Sequence, residues 1–263
     1  MTATRYTYPD EDDRITLRFI EQAEPYPGYW AESDERAMTR AAARLGPLLG
    51  ARETVRALDL GCGKGRMLPW LSRLAGRITA ADPDTGRLAE AARVTSGIAG
   101  AEIELVAADV HTLAGGPFDL VLCSHIIQHI PTAELVPLLT RLHERTAPGG
   151  FLMLTYTRSC FPGEWFSLER IDEHGVEERP VDRAEFDEVA RDGGEFLPVH
   201  HRDRAQLAGI GRVLGWSEFW SWSFHVLGDR PGFAGHDDRD ELVNRTPDLL
   251  RRFGRDVVVL WRR

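Results

Sequence analysis

A glycine-rich turn is the segment of this chain whose residue types and spacing most clearly point to chemistry. It reads Asp59-Leu60-Gly61-Cys62-Gly63-Lys64-Gly65 and stands between a short apolar run, typical of a buried strand, and a helical pattern. Glycines at alternate positions permit positive φ and let a ligand lie against bare backbone. The first N–H groups of the following helix point at the same place. The turn therefore predicts a ligand site, although dinucleotide-binding folds use a related one.

Two aspartates stand at the ends of the next two predicted strands. Asp82 comes 17 residues after Gly65, where a carboxylate could accept hydrogen bonds from both hydroxyls of a ribose. Asp109 ends the third predicted strand, where its side chain could face the amino group of an adenine. Each could instead be only a helix cap. Three polar strand ends in order along one sheet edge favour a ligand site, because open α/β sheets bind ligands at the carboxyl edge.

The elements that must position these residues form a regular βαβ pattern. Short apolar runs alternate with helical stretches, which predicts a parallel sheet. The predicted strands span residues 55–60, 78–81, 103–108, 118–123, 151–156, 216–226 and 257–261. The main predicted helices span residues 34–49, 135–146, 203–214 and 240–253. We predict a Rossmann-like α/β fold whose seven-stranded sheet is mostly parallel, with helices on both faces and an antiparallel hairpin of the last two strands.

The same pattern suggests how the chain is divided. Residues 1–50 are expected to form an N-terminal lid or helical extension, and residues 51–263 the main domain. Within that domain, residues 157–200 break the βαβ rhythm and carry charges with scattered aromatics, so we expect an inserted cap over the acceptor pocket.

In these motifs the sequence resembles the class I S-adenosylmethionine (SAM)-dependent methyltransferases. The matching segments are Leu58 to Gly65, Asp82, Ala108-Asp109-Val110, Phe118-Asp119-Leu120-Val121 and the helix that ends at Pro148-Gly149-Gly150. The resemblance covers about residues 54–157 well and 198–226 loosely. A dinucleotide site fits less well, because the turn is Gly-Cys-Gly-Lys-Gly rather than Gly-x-Gly-x-x-Gly.

The resemblance implies SAM as the cofactor and assigns residues to its parts. The implied cofactor-binding residues are Asp59, Gly61, Cys62, Gly63, Gly65, Asp82, Pro83, Asp109, Val110 and Ser124. The glycine turn with its aspartate would surround the methionine part. Asp82 would hold the ribose, and Asp109 and Val110 would flank the adenine.

Two histidines follow the fourth predicted strand, in a segment that should lie beside the methyl group. His125 and His129 are four residues apart, so on a helix they would share one face. One of them could be a general base, because an imidazole titrates near neutrality. Alternatively, His129 is hydrogen-bonded within the sheet edge and His125 is a cap. We expect no metal site from the pair, since zinc requires three or four ligands.

A further group of residues is expected to contact the acceptor. It consists of Tyr29, Trp30, Trp165, His200 and His201. In the resembling family, N-terminal segments similar to the one that holds Tyr29 and Trp30 fold over SAM as a lid; otherwise these rings only pack a helix onto the sheet. Trp165 would suit an apolar acceptor pocket or a small core of the cap itself.

Composition limits the partners. The net charge is −9, which argues against a nucleic-acid surface because phosphate contacts need a basic stripe. The segment after the fourth strand also lacks the Asn/Asp-Pro-Pro-Tyr motif of relatives that methylate nucleobase amines. The apolar runs are far too short to span a bilayer, and the acidic stretch at residues 10–13 does not fit a signal peptide. Three cysteines form no disulfide framework, which favours the cytoplasm.

We therefore predict a methyltransferase that passes the methyl group of SAM to a small organic acceptor, such as a bacterial secondary metabolite, and releases S-adenosylhomocysteine. No membrane or nucleic-acid partner is expected, and the chain should be a monomer or a homodimer. Two alternatives stay open. The first is SAM-dependent chemistry without methyl transfer, in which the positive sulfur stabilises charge in a cyclisation or is itself cleaved. The second is a non-catalytic SAM-binding subunit.

Overall fold

The computed structural model describes residues 29–172, 175–226 and 239–263. Its strands are β1 (Arg56–Leu60), β2 (Arg77–Asp82), β3 (Glu102–Ala107), β4 (Phe118–Ser124), β5 (Thr146–Thr157), β6 (Trp165–Asp172), β7 (Gly175–Val181), β8 (Leu197–His201), β9 (Ser217–Val226) and β10 (Gly254–Arg262). Its helices are α1 (Tyr29–Leu45), α2 (Leu68–Leu71), α3 (Thr85–Thr95), α4 (Leu135–Arg145), α5 (Arg183–Asp192), α6 (Arg204–Val213), α7 (Arg239–Arg245) and α8 (Pro247–Phe253).

The main sheet has seven strands in the order β3-β2-β1-β4-β5-β10-β9. Strands β1 to β5 pair in parallel, and β10 pairs antiparallel with both β5 and β9. The carboxyl ends of β1 to β5 and of β9 therefore lie at one edge of the sheet, which we call the carboxyl edge. The strand order reverses between β1 and β4, and open α/β sheets bind ligands at such a point. The predicted Rossmann-like fold is confirmed.

The core lies on both faces of this sheet, because successive strand residues point to opposite sides. In β1, Ala57 joins the core cluster that contains α1 and Trp70, while Leu58 joins the cluster that contains α4 and Trp261. Burial on both faces explains why the parallel strands read as nearly continuous apolar runs. The two packed faces also keep the strand ends at the carboxyl edge fixed in position.

Residues of the expected insertion form a second, smaller sheet. Its strands are ordered β7-β6-β8, and α5 packs on it through Phe186, which contacts Phe166. We call β6, β7, β8 and α5 the accessory sheet. It is joined to the main sheet where the Arg202 amide donates to the Thr157 carbonyl at 3.1 Å and the buried Arg202 guanidinium donates to the Ile127 carbonyl.

Two predicted helix limits were wrong, each for a local reason. The first helix ends at Leu45 rather than residue 49, because Gly46 precedes Pro47 and the residue before a proline is disfavoured in the helical region. The single helix expected over residues 240–253 is two helices, since Pro247 lacks the N–H that would continue α7. α7 and α8 also separate β9 from β10 along the chain, so these strands pair without a tight turn.

None of the helices in the described ranges is long and apolar enough to cross a bilayer.

Two glycines of α6 provide a matched test of core packing. A Cβ at Gly211 would lie 2.7 Å from the Trp261 ring, whereas a Cβ at Gly209 would meet no atom within 4 Å. Gly211→Ala should therefore destabilise the protein by about 1–3 kcal/mol through overpacking. Gly209→Ala should stabilise it by about 0.5–1 kcal/mol through helix propensity. Urea unfolding followed by circular dichroism measures both; equal effects of the two changes would contradict the packing described here.

Candidate active site

The glycine-rich turn lies at the carboxyl edge, between β1 and α2, as predicted. Gly61, Gly63 and Gly65 have φ values of 72°, 52° and 84°, which L side chains rarely adopt. A Cβ on Gly61 would come within 2.4 Å of the Ile126 side chain, so the turn packs closely against the segment after β4. The amides of Gly61 and Cys62 donate to the Ala81 carbonyl at 2.7 and 3.0 Å. The turn is thus held rigidly with its backbone bare.

Asp82, at the end of β2, connects the turn to α3. Its Oδ2 accepts a hydrogen bond from the Gly63 amide at 2.9 Å, and its Oδ1 accepts one from the Asp84 amide at 2.9 Å. Asp84 in turn caps α3, and the intervening Pro83 is exposed. A carboxylate oxygen accepts more than one hydrogen bond, so Asp82 has capacity for further donors beside the turn.

Asp109 follows β3 at the same edge, and it caps the turn that comes after it. Its Oδ1 accepts bonds from the amides of His111 and Thr112, both at 2.8 Å, and from the Thr112 hydroxyl at 2.9 Å. Burial raises the pKa of Asp109, but these bonds outweigh it and hold the pKa below its ordinary value. Asp109 therefore stays ionised. The Val110 side chain is buried in the core on the α4 side of the sheet.

Asp59, inside β1, is the most unusual group of the site. It is buried, and its Oδ2 has no hydrogen-bond partner among the residues that the structure describes. Burial raises the pKa of Asp59 to about 7; the charge of Arg66 lowers it and that of Asp82 raises it. Burial likewise raises the pKa of the Cys62 thiol, so this cysteine is a packing residue rather than a nucleophile.

The segment after β4 faces the glycine turn across the edge. The Ser124 hydroxyl is 2.8 Å from the Thr155 hydroxyl, and the His125 amide donates to the Thr155 carbonyl at 2.9 Å. Arg66, which follows the glycine turn, pairs with Asp34 of α1 and reaches Ser124 at 3.5 Å. Helix α1 is thereby tied to the opening between the turn and β4.

The two predicted catalytic histidines do not lie on a helix, so the shared helix face was wrong. Residues 125–130 form turns instead, and His125 has a φ of 54°. His129 is buried, with its Nδ1 2.7 Å from the Pro198 carbonyl of β8. Burial lowers the pKa of His129 to about 4, against the raising effect of that hydrogen bond, and burial also lowers the pKa of His125. Both imidazoles are therefore neutral near pH 7.

The residues predicted to contact the acceptor separate into two groups. Trp165, His200 and His201 belong to the accessory sheet: the Trp165 ring stacks on His201 with centroids 3.6 Å apart. His201 Nε2 lies 2.9 Å from the Ser167 hydroxyl, and His200 Nε2 lies 2.9 Å from Glu164. Burial lowers the pKa of His200 to about 2. Tyr29 and Trp30 begin α1, but their side chains lie outside the part of the chain that the structure describes.

Sequence reasoning missed one histidine–carboxylate pair at the same edge. His225, near the end of β9, places Nδ1 2.7 Å from Asp256 Oδ2 at the start of β10. The Thr157 hydroxyl donates to the other oxygen of Asp256 at 2.8 Å. The sequence shows a histidine at the end of one predicted strand and an aspartate just before the next. Their proximity depends on the antiparallel register of β9 and β10, which the sequence pattern does not reveal.

Comparisons with known proteins agree with this geometry. Residues 57–150 match the family model of the methyltransferase domain. The ubiquinone biosynthesis O-methyltransferase of Brucella anthropi is 29% identical over 102 residues, covering 38% of this chain and 40% of that protein. An uncharacterized 37.1 kDa protein in transposon TN4556 of Streptomyces fradiae is 30% identical over 205 residues, covering 74% of this chain and 54% of that protein. The chain thus spans about half the length, or less, of these relatives.

Among solved structures, the chain is similar to Burkholderia thailandensis 1,6-didemethyltoxoflavin-N1-methyltransferase, whose structure contains 1,6-didemethyltoxoflavin and S-adenosylhomocysteine. The TM-score is 0.56 at 18% identity, and the match covers 98% of this chain and 92% of that one. At this level of identity, the similarity shows only that the two chains share a fold. The predicted resemblance is confirmed: residues 57–150 match the methyltransferase-domain family model, and the chain has the fold of the class I SAM-dependent methyltransferases.

Proposed function

We propose that this chain transfers the methyl group of SAM to a small organic acceptor and releases S-adenosylhomocysteine. The observation that carries the proposal is the bare glycine turn, held by Asp82 at the point where the strand order reverses, with the buried Asp59 beneath it. Together, the glycine turn, the two carboxylates and the carboxyl edge have the shape and charge that an adenosyl sulfonium with an amino-acid tail requires.

The residues present fit SAM. A Cβ on Gly61 or Gly63 would lie within 3 Å of a neighbouring side chain, so the turn has room only for bare backbone, against which the methionine part can lie. The Oδ2 of Asp59 is buried without a hydrogen-bond partner among the described residues, which costs free energy, and the ammonium of the methionine part is the type of donor that would satisfy it. Asp82 would bind the ribose, and Asp109 with Val110 the adenine. Cys62, Pro83, Gly65 and Ser124 complete the proposed contacts.

SAM already carries a reactive methyl group, so the chain's own task is to place the acceptor in line with the sulfonium and to exclude water. We assign this task to residues 1–50 and to the insertion at 157–200, with Tyr29, Trp30, Trp165, His200 and His201 as acceptor contacts. His125 and His129 remain predicted catalytic residues. The cytoplasmic location and the monomer or homodimer state also remain predictions.

The names of the relatives guide the choice of acceptor. Several curated relatives are ubiquinone biosynthesis O-methyltransferases, and the structural neighbour described above is a 1,6-didemethyltoxoflavin-N1-methyltransferase. We therefore propose a small-molecule acceptor and favour a hydroxyl oxygen. Formation of S-adenosylhomocysteine by the isolated chain tests methyl transfer directly. SAM consumption without this product would instead support cleavage of SAM, whereas conversion of the acceptor without SAM consumption would support cyclisation.

The ribose assignment predicts a loss of affinity at Asp82. Asp82→Ala should raise the dissociation constant for SAM at least tenfold, a loss of about 1.4 kcal/mol or more, measured by titration calorimetry. Asp119→Ala is the matched control, because Asp119, like Asp82, accepts a backbone amide of another segment, that of Arg56 at 2.8 Å, but at the opposite edge of the sheet. SAM affinity that falls equally in both variants would point to loss of structure rather than of a ribose contact.

The buried Asp59 predicts a pH-dependent stability. Its pKa is about 7 in the folded protein and ordinarily 3.8, so between these values the folded state binds the extra proton and stability falls as pH rises. Asp59→Asn cannot titrate. Without SAM, its stability relative to the unmodified protein should therefore increase from pH 4 to pH 7, by up to roughly 4 kcal/mol at about 1.4 kcal/mol per pKa unit.

Denaturant unfolding at several pH values measures this difference. Asp84→Asn serves as the control, because asparagine caps a helix as well as aspartate and Asp84 is the N-cap of α3. A pH-independent difference for Asp59→Asn would mean that Asp59 is ionised throughout the range.

A further inference from the structure

The pair formed by His225 and Asp256 makes more hydrogen bonds than packing alone requires. Asp256 is 5% exposed, and both of its oxygens are used: Oδ2 faces His225 Nδ1 at 2.7 Å and Oδ1 accepts from the Thr157 hydroxyl at 2.8 Å. The His225 amide donates to the Ser33 hydroxyl of α1 at 2.9 Å, and that hydroxyl donates to Asp240 of α7 at 2.8 Å. The imidazole is therefore oriented through both its ring and its backbone.

The backbone at His225 is also unusual. Among the described residues other than glycine, positive φ occurs at His125, with 54°, and at His225, with 49°. This conformation costs free energy for such residues and accumulates at functional sites. Both histidines lie at the carboxyl edge, and the Phe224 ring contacts both imidazoles, with centroids 6.3 Å from His125 and 4.5 Å from His225.

The sheet topology places the pair on the acceptor side of the site. Strand β9 runs in the same direction as β5, because both pair antiparallel with β10, so its end lies at the carboxyl edge beside the ends of β5 and β4. Asp256 stands opposite both Thr157 of β5 and Phe224 of β9. The glycine turn lies on the other side of β4, so an acceptor bound beside His125 would lie between SAM's proposed site and the pair.

The charges around Asp256 favour an ionised carboxylate. Burial raises its pKa, but the hydrogen bond with His225 and the electrostatic interactions with His225, His125 and Arg255 hold the pKa well below its ordinary value. From the accessory sheet, Glu169 and His201 also interact with Asp256; burial raises the pKa of Glu169 to about 7 and lowers that of His201. An ionised Asp256 stabilises a positive charge on the adjacent imidazole.

We propose that His225, oriented by Asp256, is the general base that removes the proton of a hydroxyl acceptor during methyl transfer; this rests on the proposed function. Nδ1–H donates to Asp256, which leaves the Nε2 lone pair as the proton acceptor. The hydroxyl oxygen forms the new bond to the methyl carbon, and its proton passes to Nε2. The carbon–sulfur bond breaks, and its electron pair stays on sulfur as the thioether of S-adenosylhomocysteine. The imidazolium, paired with Asp256, later releases its proton to water.

The hydrogen-bond partners of the two imidazoles show why His225 suits this role better than His129. The Nδ1 of His129 faces the neutral Pro198 carbonyl, whereas the Nδ1 of His225 faces a carboxylate. Only a carboxylate offsets the full positive charge that the base acquires at the transition state. Burial lowers the pKa of His129 to about 4, which makes it a weak base.

The first test needs no acceptor. Imidazole nitrogens of ¹⁵N-histidine-labelled protein, saturated with S-adenosylhomocysteine at pH 8, are assigned with the variant His225→Asn. We expect His225 to carry its proton on Nδ1, and we expect Asp256→Asn to change the tautomer distribution. A proton on Nε2, or a doubly protonated ring, would overturn the proposal. SAM binding is measured by calorimetry in parallel. If SAM does not bind, the proposed function is rejected, and this outcome is distinct from a rejection of His225 as the general base.

The second test measures methyl transfer from SAM to two probe acceptors, catechol and 4-nitrocatechol, whose nitro group makes the hydroxyl far more acidic. His225→Asn keeps a side-chain donor toward Asp256 and tolerates positive φ. Its turnover number with catechol should fall about a hundredfold or more, whereas 4-nitrocatechol, already ionised at pH 8, should be affected much less. Asp256→Asn should shift the pH profile of catechol turnover.

His143→Asn is the matched control, because His143 is also half-buried but lies in the last turn of α4, near the opposite edge of the sheet. It should leave both rates unchanged. Equal losses with both catechols in His225→Asn, at unchanged SAM affinity, would assign His225 a purely structural role and overturn the proposal.

Discussion

The site depends on one interaction: the hydrogen bond that the Asp82 carboxylate accepts from the Gly63 amide. Together with the bonds from Gly61 and Cys62 to the Ala81 carbonyl, it attaches the glycine turn after β1 to the end of β2. A turn with three positive-φ glycines has high conformational entropy when free, so these bonds determine whether it is a surface for a ligand or a mobile loop. Preorganisation of this kind lowers the cost of binding.

The carboxyl edge collects ionisable groups because parallel strands end there together. Asp59 and Asp82 lie on the side of the glycine turn, and His225 with Asp256 lie on the far side, across β4 and β5. The first group is suited to a cation with ribose hydroxyls, and the second to a group that loses a proton. In the proposed reaction, the first group would bind SAM and the second would take the proton of the acceptor.

Much of the fold and half of the site follow from local sequence patterns. The strands through β5, the glycine turn, Asp82 and Asp109 were predicted because each is coded by neighbours in the chain: apolar runs, alternate glycines and strand-end carboxylates. The continuous last helix was wrong because Pro247 outweighed the apolar pattern. The shared helix face of His125 and His129 was wrong because the chain turns there, with His125 at positive φ and its amide bonded to Thr155 on the next strand.

The sequence by itself determined the order of the βα units and the chemistry available at each strand end. Only the tertiary structure decided that Asp256 meets His225, that Asp59 keeps one oxygen without a partner among the described residues, and that residues 165–201 carry a second sheet joined through Arg202. The physical reason is the separation along the chain over which each effect acts. Periodicity and turn chemistry act over a few residues, whereas strand register and burial depend on contacts between segments far apart in the chain.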